Sequence, residues 1–163
     1  VGFCLFFFFF FNGTATPGIN VFPLQAPFPI WGGGGEDVTQ LSAAPNWGVV
    51  LVNPNVGVST PAVFNALNSK RNLPMQDVAE NCVDIAWLGD QRNDLEPPAM
   101  AMVPEVGAVV DAISAAPHCQ MARMSGSGAT CFGVFADIKH ANAAAERLQR
   151  AHPDWWVVST KIV

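Results

Sequence analysis

Residues 124 to 135 read Met124-Ser-Gly-Ser-Gly-Ala-Thr-Cys-Phe-Gly-Val-Phe135. An apolar approach over residues 120–124 enters a Ser/Gly loop, and the chain leaves it through a β-branched and aromatic run over 130–135. That pattern predicts two strands joined by a loop. Its glycines permit φ > 0 and close approach of another backbone or a ligand. Successive N–H groups in such a loop can form an anion-binding concavity. An ordinary turn uses the same residues, so on this stretch alone both readings stand.

Other segments frame the loop. Trp47-Gly-Val-Val-Leu-Val52 is a continuous apolar run closed by Asn53-Pro-Asn55, which predicts a buried strand. In Val58-Ser-Thr-Pro-Ala-Val-Phe64, Ser59 or Thr60 is the expected N-cap and Pro61 sits at the first helical position. A second helix is expected near residues 78–88. Pro104 opens an amphipathic helix with Val106, Val109, Val110 and Ile113 on one face, ended by Pro117. Asp137 is expected to cap a helix running to His152, with Ile138, Ala141, Ala145 and Leu148 facing inward. Residues 155–163 read as the last strand. Residues 12–46, rich in Gly, Pro and Thr, read as irregular. The order implies an α+β fold, an antiparallel sheet backed by helices on one face.

Composition limits what such a fold can do. The chain has 163 residues, enough for about one domain, with half of them hydrophobic and 13% charged. The net charge of −5 gives no basic footprint for nucleic acid. It does not exclude a phosphate ligand held by loop N–H groups. Cys4, Cys82, Cys119 and Cys131 lack CxxC spacing and read as buried hydrophobes of a reducing compartment rather than zinc ligands or a disulfide framework. His118, His140 and His152 fall in no metal-binding pattern. The Phe run from Phe6 to Phe11 is too short to span a bilayer and lacks the basic start of a signal peptide. The first residue is Val, and the chain is expected to start inside a larger protein.

Four segments in fixed order carry a resemblance: Gly34-Gly-Glu36, Val58-Ser-Thr-Pro-Ala-Val-Phe64, Asn93-Asp-Leu-Glu96 and Met124–Gly133. Together they resemble the C-terminal part of the GHMP small-molecule kinases, over roughly residues 32–163. Within that family they resemble the branch that serves non-mevalonate isoprenoid synthesis. The resemblance implies ATP-dependent phosphorylation of the 2-hydroxyl of 4-diphosphocytidyl-2-C-methyl-D-erythritol, in the bacterial cytoplasm, by positioning and charge stabilisation. ATP and Mg2+ are the implied cofactors. The implied partner is a small molecule bearing a cytidine diphosphate group, with no nucleic acid or membrane.

The resemblance also implies roles by position. Thr60 and Phe64 match positions lining the cytidine pocket, with Phe64 against the base, and Gly34 falls where relatives often carry an apolar residue. Ser125, Gly126, Ser127, Gly128, Ala129 and Thr130 match the loop that approaches the phosphates, its glycines admitting the ATP loop. Asn93 and Asp94 match a polar turn facing the cleft; an N-cap role is the alternative. Arg123 is a candidate local cation or a salt-bridge partner. No catalytic residue and no metal ligand is carried over.

The departures bear on activity. The family's Gly-Leu-Gly ATP loop is not in this sequence. Val1-Gly-Phe-Cys-Leu5 resembles the residues just after the family's catalytic Asp, and Asn12-Gly-Thr-Ala15 echoes a following family run. The Phe run and residues 16–31 fit nothing in the family and read as a gene-model error or a degenerate insert. The expected organisation is therefore a remnant of the N-terminal kinase domain over 1–46 and a GHMP C-terminal domain over 47–163, inactive alone. Two rivals remain: another GHMP member, such as a homoserine or mevalonate kinase, and a stand-alone α+β interaction domain in which the Ser/Gly loop is only a turn.

Overall fold

A run with no polar side chain on either alternating face must be covered on both sides, and the segment at 47–52 is. The computed structural model describes residues 29–32, 37–40, 46–69 and 84–162. In chain order the strands β1 (Pro29–Gly32), β2 (Asp37–Gln40) and β3 (Gly48–Asn53) come first. Helices α1 (Thr60–Asn65), α2 (Ile85–Asp90), α3 (Glu96–Met102) and α4 (Pro104–Ser114) follow. Strands β4 (Cys119–Met124) and β5 (Cys131–Phe135), helix α5 (Ile138–Ala151) and strand β6 (Trp156–Lys161) complete the fold.

The main sheet has strand order β4-β5-β3-β6, and every neighbouring pair is antiparallel. Val50 lies opposite Gly133 on one side and Ser159 on the other, which makes β3 central. Each helical connection returns the chain past an intervening strand, so the order of elements is the split β-α-β arrangement. The α+β sheet read from the sequence is thus present.

The alternation of β3 divides the core in two. Val50 and Val52 point to a cluster with Val106, Val109 and Ile113 of α4 and Ala141, Ala144 and Leu148 of α5. Val49 and Leu51 point the other way, to Phe132, Val134, Ile162 and Leu88 of α2. The expectation of helices on one face is therefore corrected: α2 packs on the opposite face. Among the described residues of the 78–88 segment, helix is present only from Ile85, started by the Asp84 carboxylate accepting from the Trp87 N–H at 2.7 Å.

Two strand glycines mark where the helices touch the sheet. A Cβ on Gly48 would collide with the carbonyl of Asp137 at the start of α5, and one on Gly133 would collide with the Ile113 side chain of α4. Helix α5 begins as expected: the Asp137 carboxylate accepts from the N–H groups of Lys139 at 2.8 Å and His140 at 3.0 Å.

One irregular reading is overturned in part. β1 and β2 form a separate antiparallel pair, with Ile30 opposite Thr39 and Trp31 opposite Val38. β-branched and aromatic residues in register favour pairing, and Pro29 occupies the first strand position, where its missing N–H is tolerated.

Candidate functional site

The Ser/Gly loop closes as a tight connection between β4 and β5. Ser125 N–H donates to the Thr130 carbonyl at 2.8 Å, and Gly128 N–H donates to the Ser125 carbonyl at 3.0 Å. Gly126 and Gly128 take φ values of +56° and +91°, which side chains disfavour. A Cβ on Gly128 would also meet Met124 Sδ at 2.9 Å and sit 3.6 Å from Val58 Cγ2. The glycine thus makes room for the loop's own neighbours. The Ser127 and Ala129 N–H groups have no hydrogen-bond partner among the described residues.

Side chains from three other segments fix this backbone. Asn93 is buried, 5% exposed. Its amide donates to the carbonyls of Met124 at 3.0 Å and Gly126 at 2.8 Å, and its Oδ1 accepts from Leu95 N–H at 3.0 Å. Glu96 Oε2 accepts from Met124 N–H at 2.6 Å. Met124 therefore has its N–H and its carbonyl held by one turn, residues 93–96. On the other limb, Asn53 Nδ2 donates to Thr130 Oγ1 at 2.9 Å. At the tip, the Thr60 and Ser127 hydroxyls pair at 2.7 Å.

These contacts sort the expected residues. Ser125 to Thr130 lie together, and Thr60 joins them. Phe64, on the same short helix, is 37% exposed. Ser59, not Thr60, is the N-cap of α1, its hydroxyl accepting from Ala62 N–H at 3.4 Å. Asn93 clamps the loop, and Leu95, not Asn93, is the N-cap of α3, with no side-chain cap hydrogen bond. Asp94 accepts from Arg92 Nε at 2.7 Å at the surface. Gly34 lies outside the described residues. Arg123 is engaged by the peptide backbone: its guanidinium donates to the Leu88 carbonyl at 3.2 Å and the Gly89 carbonyl at 3.1 Å. Burial pulls its pKa down, with Glu96 opposing.

Asn53 and Glu96 carry parts of the site that the residue types alone did not single out. Asn53 stood in a turn motif, and Glu96 in a sequence motif with no assigned partner. Cys131, buried under the loop, has its thiol pKa pushed up to about 12 by burial, with Glu96 adding to the rise. Beside the clamp lies a cleft of about 570 Å³, with Arg92, Asn93, Asp94, Pro98, Leu67 and Met102 among its walls. Neither Thr60 nor Phe64 is among its described lining. Among the described residues no group of three His, Cys, Asp or Glu side chains is placed to hold a cation. No helix among them is long and apolar enough to cross a membrane.

A sheet of this order, with a glycine loop braced between β4 and β5, defines the C-terminal domain of a GHMP kinase. The model of that family, described as GHMP kinases C terminal, matches residues 69–154, more than half the chain, and the chain belongs to the family. Among curated proteins, it is 49% identical over 132 residues to the 4-diphosphocytidyl-2-C-methyl-D-erythritol kinase of Dinoroseobacter shibae. That match covers 77% of this chain and 45% of the relative. The enzyme of the same name from Cereibacter sphaeroides is 48% identical, with 80% and 49% covered. The chain spans about half the length of the curated relatives it matches.

Solved structures agree. A 4-(cytidine 5'-diphospho)-2C-methyl-D-erythritol kinase superposes with a TM-score of 0.60 at 30% identity, covering 80% of this chain and 48% of that one. A homoserine kinase from Cytophaga hutchinsonii superposes at 0.63 with 20% identity, covering 84% and 49%, and that likeness shows the fold alone.

Proposed function

We propose that this chain is the C-terminal half of an ATP-dependent kinase. Its substrate is 4-diphosphocytidyl-2-C-methyl-D-erythritol, its reaction is phosphate transfer to the 2-hydroxyl, and its setting is the bacterial cytoplasm. The observation that carries the reading is the loop at 125–130. It is held on both limbs by side chains from distant segments, and its Ser127 and Ala129 N–H groups have no hydrogen-bond partner among the described residues. Such groups suit an anion. The similarity to kinases of that substrate supports reading the anion as a phosphate.

In this reading residues 47–163 form one wall of the site and residues 1–46 belong to the preceding domain. Phe64 offers an exposed ring to the cytosine base. Such stacking is worth about 1–3 kcal/mol. The ATP loop and the general base are supplied by the N-terminal domain. In this reading Mg2+ would be held with the ATP phosphates in that domain.

Phosphoryl transfer rests almost wholly on positioning and charge stabilisation. One wall alone is therefore expected to give no turnover. The test is a radiolabelled phosphate-transfer assay on the 163-residue chain and on the same chain expressed with its upstream reading frame. Activity confined to the longer protein is expected. Turnover by the chain alone would overturn the half-site reading, and none by either would overturn the kinase.

A further inference from the structure

The loop at 125–130 lies against the start of helix α1. Val58 Cγ2, just before the helix, stands 3.6 Å from where a Cβ on Gly128 would be, an ordinary van der Waals separation. Two residues on, the Thr60 and Ser127 hydroxyls meet at 2.7 Å across a sequence separation of 67. The limbs of the loop are anchored elsewhere, by Asn93, Glu96 and Asn53. At the tip, the hydroxyl of Ser127 is met by Thr60. Helix α1 is itself lightly held: six residues with Val63 alone buried.

A hydroxyl has one proton to donate. With its hydroxyl paired to Ser127, Thr60 has a role distinct from that of Phe64, whose ring is exposed one turn further along the helix. We propose that Thr60 is a positioning residue. The Thr60–Ser127 hydroxyl pair ties the helix bearing Phe64 to the tip of the Ser/Gly loop. A nucleoside stacked on Phe64 settles α1 and, through that pair, the phosphate-side backbone at Ser127 and Gly128. The transmitted half rests on the nucleoside reading above; the tie itself does not. By linkage, the phosphate ligand and the nucleoside then strengthen each other's binding.

The test is amide hydrogen exchange on the full chain, read at Gly128, whose N–H is bonded to the Ser125 carbonyl. Without ligand, Thr60→Val and Ser127→Ala are each expected to speed that exchange roughly 2–10-fold, as loss of one hydrogen bond would. The double variant should go no further than either single one, and Thr60→Ser should match the wild type. Unchanged exchange in Thr60→Val, or additive singles, would overturn the tie.

The second arm adds cytidine 5'-diphosphate. Slower Gly128 exchange in the wild type and Thr60→Ser, but not in Thr60→Val, is expected. A wild type that binds this probe with no change at Gly128 would overturn the transmission. A wild type that does not bind it would overturn the nucleoside site and the transmission together, while the ligand-free arm still decides the tie.

Discussion

Asn93 shows how one side chain can shape a loop it does not belong to. Its amide supplies two donors to carbonyls 31 and 33 residues away, and its oxygen takes a third bond from Leu95. Removing it strands buried polar groups, which costs about 1–3 kcal/mol. Asn93→Ala should lower the urea midpoint accordingly. Asn93→Asp keeps the acceptor but turns a carboxylate oxygen toward two carbonyls, so at pH 7 it should be at least as damaging. Wild-type stability in Asn93→Asp would show that the amide donors are dispensable.

Asp137 makes a second residue-scale prediction. The His140 backbone N–H is the main cause holding its carboxyl below its ordinary value of 3.8, with further help from the His140 ring and the Lys139 N–H. A depressed folded-state pKa gives stability that is complete above 3.8 and lost as pH falls through the folded value. Asp137→Ala should therefore melt below the wild type at pH 7, and the gap should close as pH is taken down below 3.8. A gap unchanged by acid would mean the cap owes nothing to the charge.

At the scale of elements, the glycines of β3 and β5 set how closely the helices sit. Gly48→Ala and Gly133→Ala both insert a methyl group where none fits, and overpacking of this kind costs about 1–3 kcal/mol. The obstacle at Gly48 is the Asp137 backbone carbonyl, while at Gly133 it is chiefly a side chain. Side chains can rotate and a helix start cannot, so Gly48→Ala should be the worse in thermal unfolding. The reverse order would mean that α5 shifts more easily than Ile113 repacks.

Much of this level was legible. β3, α4, β4, β5, α5 and β6 follow from apolar runs, a Pro start and an Asp cap, because local chemistry fixes them. The face on which α2 packs was not legible: Leu88 looks alike in sequence whichever side of a sheet it covers. The pairing of β1 with β2 was hidden by the Pro and Gly residues around it. Of the site, the loop's residue types were plain, but its clamps come from Asn53, Asn93 and Glu96. Which polar side chain reaches which carbonyl is decided by tertiary assembly.

At the scale of the molecule, the chain is about half of what its relatives contain, and its fold places the glycine loop at the end of a four-stranded sheet. The central strand of that sheet has a further consequence during synthesis. β3 is made before most of the other elements, yet one of its neighbours, β6, begins about a hundred residues later. At ribosomal rates of about 5–20 residues per second, a strand of Val and Leu waits on the order of 5–20 s with an unpaired edge. Unpaired apolar edges invite pairing between chains. Nascent chains truncated before Trp156 should therefore aggregate where the full chain does not, as sedimentation of translation products would read. Their solubility would instead mean that the edge is shielded before release. Codon pauses or chaperone contact between residues 53 and 156 would then govern yield as strongly as any substitution in the finished protein.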